Sequence, residues 1–156
     1  VGIEFNNERN IIPTLNCHAL LEWYYNLPNI NDDEKLVIAD KLVESIMYKV
    51  FTLGVNVNKL PSSIDDSDNH MIQAIKEAGI STELMKQFVE CIPTTLFKNL
   101  QSDVEKKDHH AKSVLQVNGV PYVIIENQNN IKHPIVFSGG QPVDKMIDCL
   151  EEAYKI

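Results

Sequence analysis

Near residue 120 the hydrophobic period of this chain changes, and that change limits the folds open to it. Val120-Pro121-Tyr122-Val123-Ile124-Ile125 is a β-branched and aromatic run, residues 126–132 read as a polar turn, and His133-Pro134-Ile135-Val136-Phe137 is a second apolar run. The two runs predict one β-hairpin. Ser138-Gly139-Gly140-Gln141 breaks it, Pro142 suits the first position of a helix, and Val143, Met146, Ile147, Leu150 and Tyr154 give that helix one apolar face. A two-stranded hairpin with a single helix is marginal in water, because one sheet face and both edges stay open. Further strands are therefore expected, from an upstream part of a longer polypeptide or from a partner chain.

Everything before the hairpin reads as loop and helix. Residues 1–13 are polar and Asn-rich and predict an N-terminal loop ending at Pro13. Thr14 is a plausible N-cap for a helix in which Leu15, His18, Leu21, Trp23 and Tyr25 share an apolar face, ended by Leu27-Pro28. Asn31-Asp32-Asp33-Glu34 has the form of a capping box with acids in the first turn. Leu36, Ala39, Leu42, Val43, Ile46, Met47 and Val50 then trace a wide stripe up to Gly54. After a turn-rich connection, short helices follow over 70–78, closed by Gly79, and from Ser81 to near Pro93. Leu96, Leu100, Val104, His110 or Ala111, Val114 and Leu115 predict one long charged helix over 95–116.

Composition narrows the function classes. The 156 residues carry 14 Lys and Arg against 22 Asp and Glu, a net charge of −8, which repels phosphate backbones. Neither nucleic acid nor an anionic membrane is an expected partner. The longest apolar run, 120–125, is far short of the roughly 20 residues needed to span a bilayer. Cys17, Cys91 and Cys149 are too few and too scattered for a disulfide framework, and none belongs to a Cys-x-x-Cys pair. That usage fits a reducing compartment, so a cytoplasmic location is expected. The first residue is Val1, which suggests a start inside a longer polypeptide.

Most chemistry-bearing patterns fail on spacing. A calcium loop opening at Asp65 would need Gly at its sixth position and Glu at its twelfth, where His70 and Lys76 stand. Asp65-Asp66-Ser67-Asp68-Asn69 therefore reads as a solvated turn. His109 and His110 are adjacent, about 100° apart on a helix, with no second ligand pair at a useful spacing. No phosphate loop, dinucleotide fingerprint or nucleophile elbow is present. No metal or cofactor is expected. The cysteines read as small core or boundary residues, and His18 as a core histidine that doubles as a minor site candidate.

What remains is a pair of short elements. Gly119-Val120-Pro121-Tyr122-Val123, then a turn, then Val136-Phe137-Ser138-Gly139-Gly140-Gln141-Pro142 and a closing amphipathic helix resembles the C-terminal half of the DsbA family of thioredoxin-like proteins, in particular its FrnE-like branch. Upstream, Thr14-Leu15-Asn16-Cys17-His18-Ala19-Leu20-Leu21 resembles the start of the helical insertion of that branch, and residues 104–116 resemble the charged helix leading into Gly-Val-Pro.

The resemblance implies an α/β thioredoxin-like fold with an inserted helical domain at 14–103 and the C-terminal half of the thioredoxin-like domain at 104–156. It implies that Pro121 is cis and faces a Cys-x-x-Cys, a motif absent from these residues and expected upstream of them. The implied activity is thiol-disulfide exchange on peptide or protein substrates. Pro121 would be the catalytic-site residue, and Gly119, Val120, Tyr122 and His18 would be the substrate-binding ones, with the Val120 backbone pairing to an extended peptide. Two alternatives stay open. One is a redox-inactive peptide-binding module. The other is a glutathione-dependent isomerase or transferase, although such relatives carry Trp-Gly-x-Asp-Arg where this chain has Ser138-Gly139-Gly140-Gln141-Pro142. Open strand edges would also pair two copies into a homodimer if the hairpin has no other cover.

Overall fold

The computed structural model describes residues 4–9, 11–28, 30–127 and 130–154. Positions 1–3 and 10 of the expected N-terminal loop, and 128–129 at the centre of the expected hairpin turn, lie outside the described residues. The described chain is mostly helical, with six α-helices and one two-stranded antiparallel sheet. It divides into two units, residues 1–106 and 107–156.

The first unit holds α1 (Leu15–Tyr25), α2 (Asp32–Met47), α3 (His70–Glu77), α4 (Thr82–Cys91) and most of α5 (Thr95–Ser113). Packing runs from α1 to α2, α2 to α3 and α3 to α4. Phe88 lies at the centre, its ring 5.2 Å from Trp23 and 6.0 Å from Phe97, tilted and edge-on as ring quadrupoles favour. Leu20, Leu42, Val57, Met71, Ile72 and Ile75 are the other large side chains that are fully buried.

Local chemistry sets the helix starts. Asn31 Oδ1 accepts from the Glu34 amide at 2.8 Å, and Ser81 Oγ accepts from the Leu84 amide. Asn69 is not part of a solvated turn. It is buried, its Oδ1 accepts from the Met71 and Ile72 amides, and its Nδ2 donates to the Lys59 carbonyl. Thr14 occupies the cap position of α1, but its side chain makes no cap bond. Instead Asn58 Oδ1 accepts from the Asn16 amide at 2.8 Å, Asn16 Nδ2 donates to the Asn58 carbonyl, and Gln101 Nε2 donates to Asn16 Oδ1. A capping acceptor from 42 residues away thus replaces the local one.

The burial pattern corrects several expectations. In α1 the buried residues are Cys17, Ala19, Leu20, Trp23 and Tyr24, while His18 and Tyr25 are exposed. The face that carries Cys17, Leu20 and Tyr24 turns into the shared core because it offers more apolar area than one interrupted by His18. In α2, Ala39, Leu42 and Ile46 are buried, but Leu36 and Met47 are half exposed. The helix then widens into a π-helical turn, Tyr48–Leu53, closed by Gly54 at φ +72°, a conformation that costs glycine little. That turn buries Lys49, whose Nζ donates to Glu77 Oε1 at 2.7 Å. Ser45 Oγ donates to the other carboxylate oxygen of Glu77.

The second unit contains the end of α5, β1 (Tyr122–Asn127), β2 (Asn130–Ser138) and α6 (Val143–Tyr154). The expected long helix stops at Ser113, short of 116, and Gln116 takes a positive φ of 53°. Strand β1 begins two residues later than the apolar run, and β2 begins earlier than its own. Val123 pairs with Phe137, Ile124 with Val136 and Ile125 with Ile135, with an irregularity between Ile125 and Asn127. Val123, Ile125, Ile135 and Phe137 are half-buried, whereas Ile124 and Val136 on the opposite face are exposed. Helix α6 packs on both strands, yet Val143, Met146, Ile147 and Leu150 of its apolar stripe stay exposed. No described helix is long and apolar enough to cross a membrane.

Candidate functional site

The paired elements of the sequence meet at the start of β1. Gly139, at φ +79°, donates its amide to the Pro121 carbonyl at 2.8 Å, and Ser138 Oγ donates to the Gly119 carbonyl at 3.4 Å. Gly119 has the Ser138 hydroxyl 3.5 Å from where a Cβ would stand, so the approach is close but not forced. Gln141 Nε2 donates to the Ser138 carbonyl, which holds the Ser-Gly-Gly-Gln turn on itself. Tyr122 Oη donates to the Leu115 carbonyl at 3.3 Å and ties the segment before the loop to the strand. The Val120–Pro121 peptide bond is cis, the geometry the resemblance implied.

Gly119, Val120, Pro121 and Tyr122 thus form one continuous segment, with Val120 86% exposed and Pro121 also open to solvent. The expected site residue His18 belongs to the first unit, on the exposed side of α1. Ser138 and Gly139, which were not among the expected site residues, hold the loop in place. Their signal was the presence of both elements in one chain, Gly-Val-Pro before the hairpin and Ser-Gly-Gly-Gln-Pro after it.

This segment is a backbone site. It presents peptide groups and an apolar side chain but no nucleophile, so it can pair with and orient an extended chain rather than attack one. None of the three cysteines belongs to this segment, and all three are free thiols. Burial pushes the Cys17 thiol up to about 11, against a weaker opposing backbone hydrogen bond. Burial likewise raises Cys91, partly countered by the Thr94 hydroxyl. Cys149 is half-buried in α6. Neither Cys17 nor Cys91 has the electropositive surroundings that activate a thiolate. Among the described residues no cluster of three or more His, Cys, Asp or Glu side chains could hold a metal ion.

No family model, curated protein or solved structure matches the chain.

Proposed function

We propose that this chain is part of a DsbA-type thioredoxin-like protein, of the FrnE-like kind, that takes part in thiol-disulfide exchange and supplies the substrate-binding side. The observation that carries this reading is the loop 119–121, tied by Ser138 and Gly139 to the end of the hairpin so that an exposed backbone at Val120 leads directly into a strand. An extended peptide laid along that backbone would gain main-chain hydrogen bonds at little cost in side-chain entropy. Consecutive apolar residues on both strands, with Ile124 and Val136 exposed, also suit a hairpin that forms part of a larger sheet covered on both faces. The attacking thiolate would come from the Cys pair that the resemblance places before these residues.

A second reading is favoured by the cysteines themselves. With Cys17 and Cys91 buried and their thiols raised, a peptide-binding module without redox chemistry uses the same loop. One experiment separates the two. The natural full-length polypeptide is assayed for thiol-dependent reduction of insulin, and its amide resonances are followed while reduced insulin B chain is added. Turnover together with shifts at 119–122 supports the exchange reading. Shifts without turnover leave the binding module, and neither effect removes both. A further titration with glutathione, shifting the same amides, would move the reading to a glutathione-dependent isomerase or transferase.

A further inference from the structure

The face of α2 turned away from the core carries more apolar surface than a solvated helix face needs. With 3.6 residues per turn, Leu36, Val37, Asp40, Glu44, Met47 and Tyr48 fall within an arc of about 120°. The four apolar side chains are each 50–54% exposed. Asp40 and Glu44 run down the middle of the arc and are not ion-paired among the described residues, while Lys41 stands at its margin.

This strip ends in a cleft of about 470 Å³, which Phe5, Phe51 and Thr52 close against Glu44, Met47 and Tyr48. Two features make the cleft. The π-helical turn sets Phe51 off the regular helical path. The segment 4–9 then docks beside it, with the Asn6 amide donating to the Phe51 carbonyl at 2.8 Å and the Phe5 ring edge-on to Phe51 at 6.1 Å. The Arg9 guanidinium lies 5.5 Å and 5.4 Å from the two ring centres and holds that aromatic pair together.

We infer that this strip and cleft dock a basic amphipathic helix of a partner protein. Its apolar residues would lie along Leu36, Val37, Met47 and Tyr48, one large anchor would enter the cleft, and its Lys or Arg side chains would meet Asp40 and Glu44. From residue 36 to 48 the face runs about 18 Å, enough for roughly three turns of a partner helix. Charge selects the occupant. Residues 1–106 carry nine Lys and Arg against sixteen Asp and Glu, a net of −7, while residues 107–156 carry five against six. A cationic segment is drawn to the first unit, whereas a second copy would bring the same two carboxylates to a shared interface and be repelled.

The test uses three fluorescent 18-residue peptides at physiological salt: a Leu/Lys amphipathic helix, its Leu/Glu counterpart, and the Leu/Lys composition in scrambled order. Anisotropy is measured on the native chain, on the double variant Asp40→Lys with Glu44→Lys, and on Tyr48→Ala. Saturable binding of the Leu/Lys helix is expected, at least about tenfold tighter than either control, with at least about a tenfold loss in each variant and unchanged circular dichroism. No binding, equal binding of the scrambled peptide, or unchanged binding by the variants overturns the inference. So does self-association of the native chain that the double variant abolishes. If the variants fold poorly, amide shifts in the native chain decide: shifts within 36–53 support the site, and shifts elsewhere overturn it.

Discussion

Lys49 is the one buried lysine among the described residues, and its pairing predicts unequal effects when either partner is changed. Its side chain is 4% exposed, whereas that of Glu77, 2.7 Å away, is 52% exposed. Removing one partner from a fully buried pair costs about 3–5 kcal/mol, because the other charge is left without a counter-ion in a poorly solvated place. Glu77 is half in water, so solvent already screens the pair. The expected loss for Glu77→Gln is therefore about 1–2 kcal/mol, a drop in melting midpoint of roughly 5–10 °C for a unit of this size. Lys49→Met keeps the aliphatic volume and removes the buried charge, and it should leave stability within about 1 kcal/mol of the native chain.

The pH dependence follows from the same pair. Hydrogen bonds from Lys49 and then Ser45 hold the Glu77 carboxyl below its ordinary value of 4.5. A folded-state value lowered in this way stabilises the fold fully above 4.5 and loses that contribution as pH falls through the folded value. The difference between the native chain and Glu77→Gln should thus be full at pH 7 and shrink below pH 4.5. Urea unfolding followed by circular dichroism at the two pH values reads both effects. If Lys49→Met costs more than Glu77→Gln, or Glu77→Gln is silent at pH 7, the uncompensated charge of Lys49 does not set these stabilities.

Other outcomes are equally specific. Phe88→Ala empties a fully buried site between Trp23 and Phe97 and should cost about 3–5 kcal/mol, with a change in Trp23 fluorescence; a loss under about 1 kcal/mol would show that the aromatic centre is not packed as described. Gly54→Ala places a Cβ 2.6 Å from Asn6 Nδ2 at a φ of +72° and should cost about 1–2 kcal/mol while speeding proteolysis within residues 4–9; unchanged cleavage would contradict the docking of that segment. With its thiol near 11, Cys17 should hold only about a thousandth of its population as thiolate at pH 8. Alkylation followed by mass spectrometry should therefore mark Cys149 before Cys17, and rapid native labelling of Cys17 would refute its burial.

Much of the local structure was legible because it is written in neighbouring residues. The caps at Asn31 and Ser81, the stops at Gly79 and Pro28, and the change of period near residue 120 each act within about four positions of the bonds they control. The loop at 119–121 was legible for another reason, the pairing of Gly-Val-Pro with Ser-Gly-Gly-Gln-Pro across the hairpin. The cap of α1 was not, because its acceptor is Asn58, brought there by the fold rather than by adjacency.

The sequence alone therefore determined the order of helices, the hairpin and the acidic balance, since propensity, period and charge are properties of short segments. Which face of each helix turned inward was decided only by tertiary packing. His18 could count as apolar or polar until Cys17, Leu20 and Tyr24 joined the common core, and the buried Lys49 meets its counter-ion in Glu77, 28 residues away. A buried position is a relation between distant residues, settled by the partner that covers it.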